Sequence, residues 1–147
     1  MPDPRIKKLA EVLVHYSLDL RSGDQFQLRT FPLAEELALA VFEEAVKAGA
    51  HVLPMIGLPG TDELFYKYAS EGQLDFVSPV RKLVVESFDA LLTIGAQHNT
   101  RALSGIDPAR VARVQKASAP ITKIYLERSA SLDLRWCYTE FPTHASA

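Results

Sequence analysis

Apolar positions recur along this chain in two alternating periods, and the switching between them predicts most of its elements. Ile6, Leu9, Ala10, Leu13 and Ser17 share one face of a 3.6-residue period, whereas Arg5, Lys7, Lys8 and Glu11 point elsewhere. Asp3 can cap that helix and Pro4 suits its first position. Ser22-Gly23-Asp24 is a turn signal. The period then drops to two over Gln25–Phe31, where Phe26, Leu28 and Thr30 alternate with Gln25, Gln27 and Arg29, as in a strand with one buried face. It returns to 3.6 over Leu33–Ala48, with Leu37, Val41, Ala45 and Ala48 as the stripe and Gly49 as the stop. Glu43 and Lys47 form an i,i+4 pair on the polar side of that helix.

His51–Gly57 is the next strand. Pro54 cannot donate a ladder hydrogen bond, which puts this strand at a sheet edge. Thr61–Ala69 and Ser78–Ser87 are helix segments, the second with a Ser cap and Pro79 in its first turn. Asp89–Gly95 is nearly continuous in apolar residues and fits a central parallel strand covered on both faces. Asp107-Pro108 opens a further helix with Val111 and Val114 inward. Ile121–Glu127 and Leu134–Phe141 are the remaining strand candidates. The expectation is a single α/β domain over residues 1–147, with a doubly wound, mostly parallel sheet of about five strands and helices on both faces. Right-handed crossovers would set strand two outside strand one and strand three on the other side.

Composition narrows the function. The 147 residues are 48% hydrophobic and 23% charged, with a net charge of −2. Phosphate-backbone binding calls for a basic surface, so nucleic acid is not the expected partner. No apolar run approaches the roughly 18 residues of a membrane span, and the first residues lack the long apolar core of a secretory signal. A cytoplasmic location is the expectation. A lone cysteine, Cys137, excludes an intrachain disulfide and reads as a small core residue.

Candidate chemistry is sparse. Ligands of such sheets sit at the carboxyl ends of the strands. The first loop there carries neither G-x-G-x-x-G nor G-x-x-x-x-G-K-[ST], so the backbone cradle for a nucleotide is missing. The loop GAQHNTRALSG after the central strand is the most polar. His98, Asn99 and Arg101 there could hold a carboxylate or a carbonyl, because a guanidinium offers a fork of donors. The same residues equally suit a solvated loop with helix-capping Asn and Thr. His15, His51, His98 and His144 include no pair spaced three or four apart, and no H-E-x-x-H exists. Asp62-Glu63 and Glu35-Glu36 fall in first helical turns, where the helix dipole accounts for them. Trp136, Tyr138 and Phe141 suit core or interface packing. No catalytic or metal residue is assigned.

Three stretches together resemble one family. Arg21-Ser22-Gly23-Asp24, a strand and then EEAVKAGAHVLP come first. RALSGIDPARVARVQKASAPI follows, with a D-P-x-R…Q-K-A pattern. LRWCYTEFPT closes the chain with Arg135, Trp136, Pro142 and Thr143. In this order they resemble the N-terminal part of the aminopeptidase T / AmpS / PepS family of thermophilic-type metallo-aminopeptidases, from about Arg5 to Ala147. The resemblance implies removal of N-terminal amino acids from peptides, with two divalent metal ions activating water and polarising the scissile carbonyl. It places the Glu, His and Asp ligands in a C-terminal domain beyond this segment, so the segment alone is expected to be inactive. It further implies that the chain ends where family sequences continue. Its partners would be that catalytic domain, peptide substrates and a second copy of the chain as a homodimer. The alternative is a stand-alone α/β module that binds a small anion through the Gly95–Gly105 loop.

Overall fold

The computed structural model describes residues 3–95 and 105–141. Helix α1 (Pro4–Glu11) starts as expected: Asp3 accepts from the Arg5 amide and Pro4 takes the first position. The helix then widens by one residue per turn over Val12–Ser17, where the Leu18 amide reaches back five residues to Leu13. Strand β1 (Gln25–Thr30) leads through a short 3-10 turn at Pro32–Ala34 into α2 (Glu35–Lys47), whose first turn carries Glu35 and Glu36. Strand β2 (His51–Ile56), helices α3 (Thr61–Tyr68), α4 (Glu71–Asp75) and α5 (Pro79–Ser87), and strand β3 (Ala90–Gly95) follow. Helix α6 (Pro108–Ala130) and strand β4 (Arg135–Glu140) complete the order.

The four strands are parallel and stand in the order β2-β1-β3-β4. Strand β2 lies at an edge, as Pro54 requires, and β3 is central. The α/β class and the 2-1-3 order therefore match the pattern of the sequence. One expected strand does not form: Ile121–Glu127 lies inside α6. Its Ile, Thr and Tyr content favours a strand locally, and the preceding Pro120 disfavours a helix interior. The helix nevertheless runs through the proline, fastened at both ends by arginines described below. The short helix α4 was not expected. It begins with a capping box in which Ser70 and Gln73 satisfy each other's backbone amides.

The two sheet faces differ. Phe26, Leu28, Ala90, Leu92 and Ile94 point to one side and are buried against Ala10, Leu13, Val14, Leu37, Val41 and Ala45 of α1, its wide turn and α2. Burying this apolar area is the main stabilising term of the fold. The other face carries Leu53 and Met55 of β2, Gln27 and Arg29 of β1, Leu91 and Thr93 of β3, and Trp136 and Tyr138 of β4. Right-handed crossovers send α3–α5 and α6 over this second face. There Tyr125 of α6 meets Trp136 with ring centroids 5.7 Å apart. Much of the face stays open, and Trp136 and Tyr138 are each 52% exposed.

Candidate functional site

Chain direction across the sheet reverses between β1 and β3, so the switch point where such folds bind ligands lies at the carboxyl ends of these two strands. The described residues at this edge are Thr30, Phe31, Gly57, Gly95, Tyr138, Glu140 and Phe141. Backbone bonds extend the ladder past the strand ends. The Gly57 amide donates to Thr30 O at 2.7 Å, and the Phe141 amide donates to Gly95 O at 2.8 Å. Two glycines let aromatic rings lie directly on the backbone. A Cβ on Gly57 would collide with the Phe31 ring, 2.8 Å from its Cδ1. A Cβ on Gly95 would collide with the Tyr138 hydroxyl and come 3.0 Å from its Cζ.

The Tyr138 hydroxyl donates to Glu140 Oε1 at 3.0 Å. Partial burial, and then the Glu140 carboxylate, push the Tyr138 phenol above its ordinary value. The Arg29 guanidinium stands 6.0 Å from the Phe31 ring centroid. The edge thus presents a carboxylate, a phenol and a guanidinium among aromatic walls. Such groups can bind and orient a polar group. The loop that sequence reasoning singled out, with His98, Asn99 and Arg101, lies outside the described residues, as do His144, Pro142 and Thr143.

The amino-terminal edge of the sheet gathers the other signature residues, and their role there is structural. Arg135 donates through Nη2 to Asp24 Oδ2 at 2.6 Å and through Nη1 to Asp19 O at 2.7 Å. Asp24 Oδ2 also accepts the Arg21 amide at 2.9 Å. Asp89 Oδ2 takes the Gln25 amide at 2.8 Å. The turn Arg21–Asp24 and the Arg135-Trp136 dipeptide, far apart in sequence, therefore clamp the starts of β1 and β4 across the sheet.

Arginines of α6 do the same for the helices. Asp107 caps the first turn. Arg110 Nε donates to Tyr66 O at 2.7 Å and its Nη2 to Ala69 O, which closes the end of α3. Arg113 meets Asp75 at 2.7 Å and Glu71 at 3.3 Å, and its hydrogen bonds hold the Asp75 carboxyl below the usual carboxylate range. Arg128 Nη1 donates to Val85 O at 2.6 Å and Phe88 O at 2.8 Å, closing the end of α5.

Sequence reasoning missed Arg128, and nothing in the local sequence marks it. It also missed the tie between His15 and Glu44, whose side-chain atoms stand 3.0 Å apart. Glu44 lies beside the Glu43–Lys47 pair but faces inward, with its side chain 11% exposed. The His15 bond, with Lys47 adding its charge, holds the Glu44 carboxyl below its ordinary value. Burial pushes the Cys137 thiol up, as suits a half-buried residue packed on the core.

A metal site needs several His, Cys, Asp or Glu side chains around one point. Among the described residues no three of these types gather in that way. His15 and Glu44 supply two donors and no third. The described residues thus do not fit a metal centre.

Comparison with known proteins places the fold. No curated protein matches the chain significantly. Among solved structures, wild-type AmpT from Thermus thermophilus is similar, with a TM-score of 0.73 at 24% identity. The match covers 94% of this chain and 36% of that one, so the chain spans about a third of the length of AmpT. That likeness shows a shared fold. The family model described as thermophilic metalloprotease (M29) matches residues 2–147. With nearly every residue inside that match, the chain belongs to the M29 family of thermophilic metalloproteases.

Proposed function

We propose that this chain is the N-terminal, non-catalytic domain of a metal-dependent aminopeptidase that acts in the cytoplasm on the N-termini of peptides. In this reading it packs on a catalytic domain that holds the metal ions, and it walls off the substrate cavity so that long or folded substrates are excluded. The observation that carries it is the pairing of extents. The family match takes in residues 2–147, while the similar solved chain is covered only to 36%. The half-open second face supports it, because parallel sheets are ordinarily buried on both sides. Leu53, Met55, Trp136 and Tyr138 mix apolar and polar groups there, as interfaces between domains do.

The test has two arms. Purified chain with added Zn²⁺, Co²⁺ or Mn²⁺ should not hydrolyse an aminoacyl nitroanilide, and turnover would sink the non-catalytic assignment. Intact mass spectrometry of the protein captured from its source cells should show a species well above the 16.3 kDa of this chain. A natural species of 16.3 kDa would instead favour a second reading, a stand-alone module for a small anion. The position of β3 beside the switch point, with His98, Asn99 and Arg101 next in sequence, favours that alternative. Calorimetric titration with small carboxylates and phosphates would then show heat.

A further inference from the structure

Helix α6 is 23 residues long and carries Pro120 in its interior. A proline there has no amide to give the carbonyl four residues back, at Lys116, and its ring crowds that turn. The two halves of α6 are fastened to different parts of the molecule. The first half binds α3 through Arg110 and α4 through Arg113. The second half binds α5 through Arg128 and reaches β4 through Tyr125 and Trp136.

Burial within the helix is greatest at the same place. Within α6 only Ser118 and Ile121 are buried, on either side of Pro120. Ahead of them the helix rests on α4 with partly buried residues. No residue of α3–α6 belongs to the main core, and α3 buries none of its side chains, while α4 buries Leu74 alone. The links from α3–α4 to the rest are thin. Gly60, with φ +93 and open space around it, precedes α3, and the extended residue Phe76 follows α4. One groove of about 790 Å³ spans the division. Its lining includes Tyr66 of α3, Arg81 of α5, and Ser118, Thr122 and Leu126 around the proline.

We infer that α3, α4 and the first half of α6 form one arm that swings about Pro120 relative to the sheet, opening and closing this groove. The arm stands whether or not a catalytic domain packs on the chain. Its internal ties are the two guanidinium clusters of Arg110 and Arg113, which move with it. It meets the fixed part through the 3.2 Å bond from Arg81 to Ser118 and the packing around that point.

Paired spin labels on the 147-residue chain test the arm. In a Cys137→Ala background, one pair joins Leu39→Cys on α2 to Lys67→Cys on α3. A control pair joins Leu39→Cys to Leu126→Cys on the second half of α6. The arm pair should give a distance distribution about twofold broader than the control. Pro120→Ala restores the missing amide and should narrow the arm pair to the control width. Pro120→Gly, which restores the amide but not the stiffness, should keep it broad. Equal widths in the wild-type background, or an arm pair that Pro120→Ala leaves unchanged, would overturn the hinge. Circular dichroism confirms that each variant is folded before its distances are read.

Discussion

Arg135→Ala should cost this domain more stability than any other single change at a polar side chain among those described. Arg135 and Asp24 are 19% and 15% exposed, and their closest atoms are 2.6 Å apart. Exposed pairs contribute about 0–1 kcal/mol, whereas removing one partner of a buried pair costs about 3–5 kcal/mol. This pair lies nearer the buried limit, which gives roughly 2–3 kcal/mol. Truncation also frees Asp19 O, a further cost of about 1 kcal/mol. That carbonyl belongs to a residue held at φ 45, a conformation the arginine helps to pin. The sum is about 3–4 kcal/mol, or a fall in Tm of roughly 6–16 °C for a domain of this size. Urea unfolding followed by circular dichroism, with a constant slope, measures it. Arg135→Lys keeps the charge but cannot reach both acceptors, so it should lose about half as much. A double-mutant cycle with Asp24→Asn should show a coupling of at least about 1 kcal/mol. A loss under about 1 kcal/mol, or a coupling near zero, would refute the clamp.

Three further outcomes follow from the same geometry. Arg128→Ala removes the donor to Val85 O and Phe88 O, and should lower the unfolding free energy by about 2 kcal/mol and speed amide exchange at the end of α5. Gly49→Ala combines φ +89 with a Cβ 2.9 Å from Ser22 Cβ and 3.0 Å from Ser22 Cα, so it should cost about 1–3 kcal/mol by the same denaturation assay. Glu44→Gln tests the tie to His15: because folding lowers the Glu44 pKa, its contribution is fully present above the unfolded value near 4.5 and is lost as pH falls through the folded value. The stability gap between wild type and Glu44→Gln should therefore be constant above about pH 5 and shrink below it; a gap that widens on acidification would contradict the assignment.

Much of the fold could be read from local pattern because local pattern caused it. The alternation of Phe26, Leu28 and Thr30 fixed which face of β1 is buried, and Pro54 kept β2 at an edge. Caps at Asp3, Ser78 and Asp107 set three helix starts. What escaped was set by contacts distant in sequence. Residues 121–127 have strand-like side chains, yet they continue α6, the crossover that joins the parallel strands β3 and β4, and Arg128 ties its end to α5. Glu44 differs from its neighbour Glu43 only in the direction it faces, and no charge pattern distinguishes them. The candidate site was legible only as a place. The switch point follows from strand order, but Gly57 under Phe31 and Gly95 under Tyr138 depend on which side chains register brings together.

The signature that identifies the family has a physical explanation that is independent of catalysis. Arg21–Asp24 and Arg135 meet in one clamp, and Asp107, Pro108 and Arg110 start α6 and close α3. Each position needs its own residue type: a guanidinium to satisfy two carbonyls at once, an acid short enough to cap, and glycine where φ is positive, as at Gly23 and Gly49. Such demands are strict because a half-satisfied buried network is worse than none. Part of a recognisable family pattern can therefore be accounted for by what holds the fold together. In this chain the clamp occupies the amino-terminal edge of the sheet, away from the carboxyl edge at which such folds bind ligands.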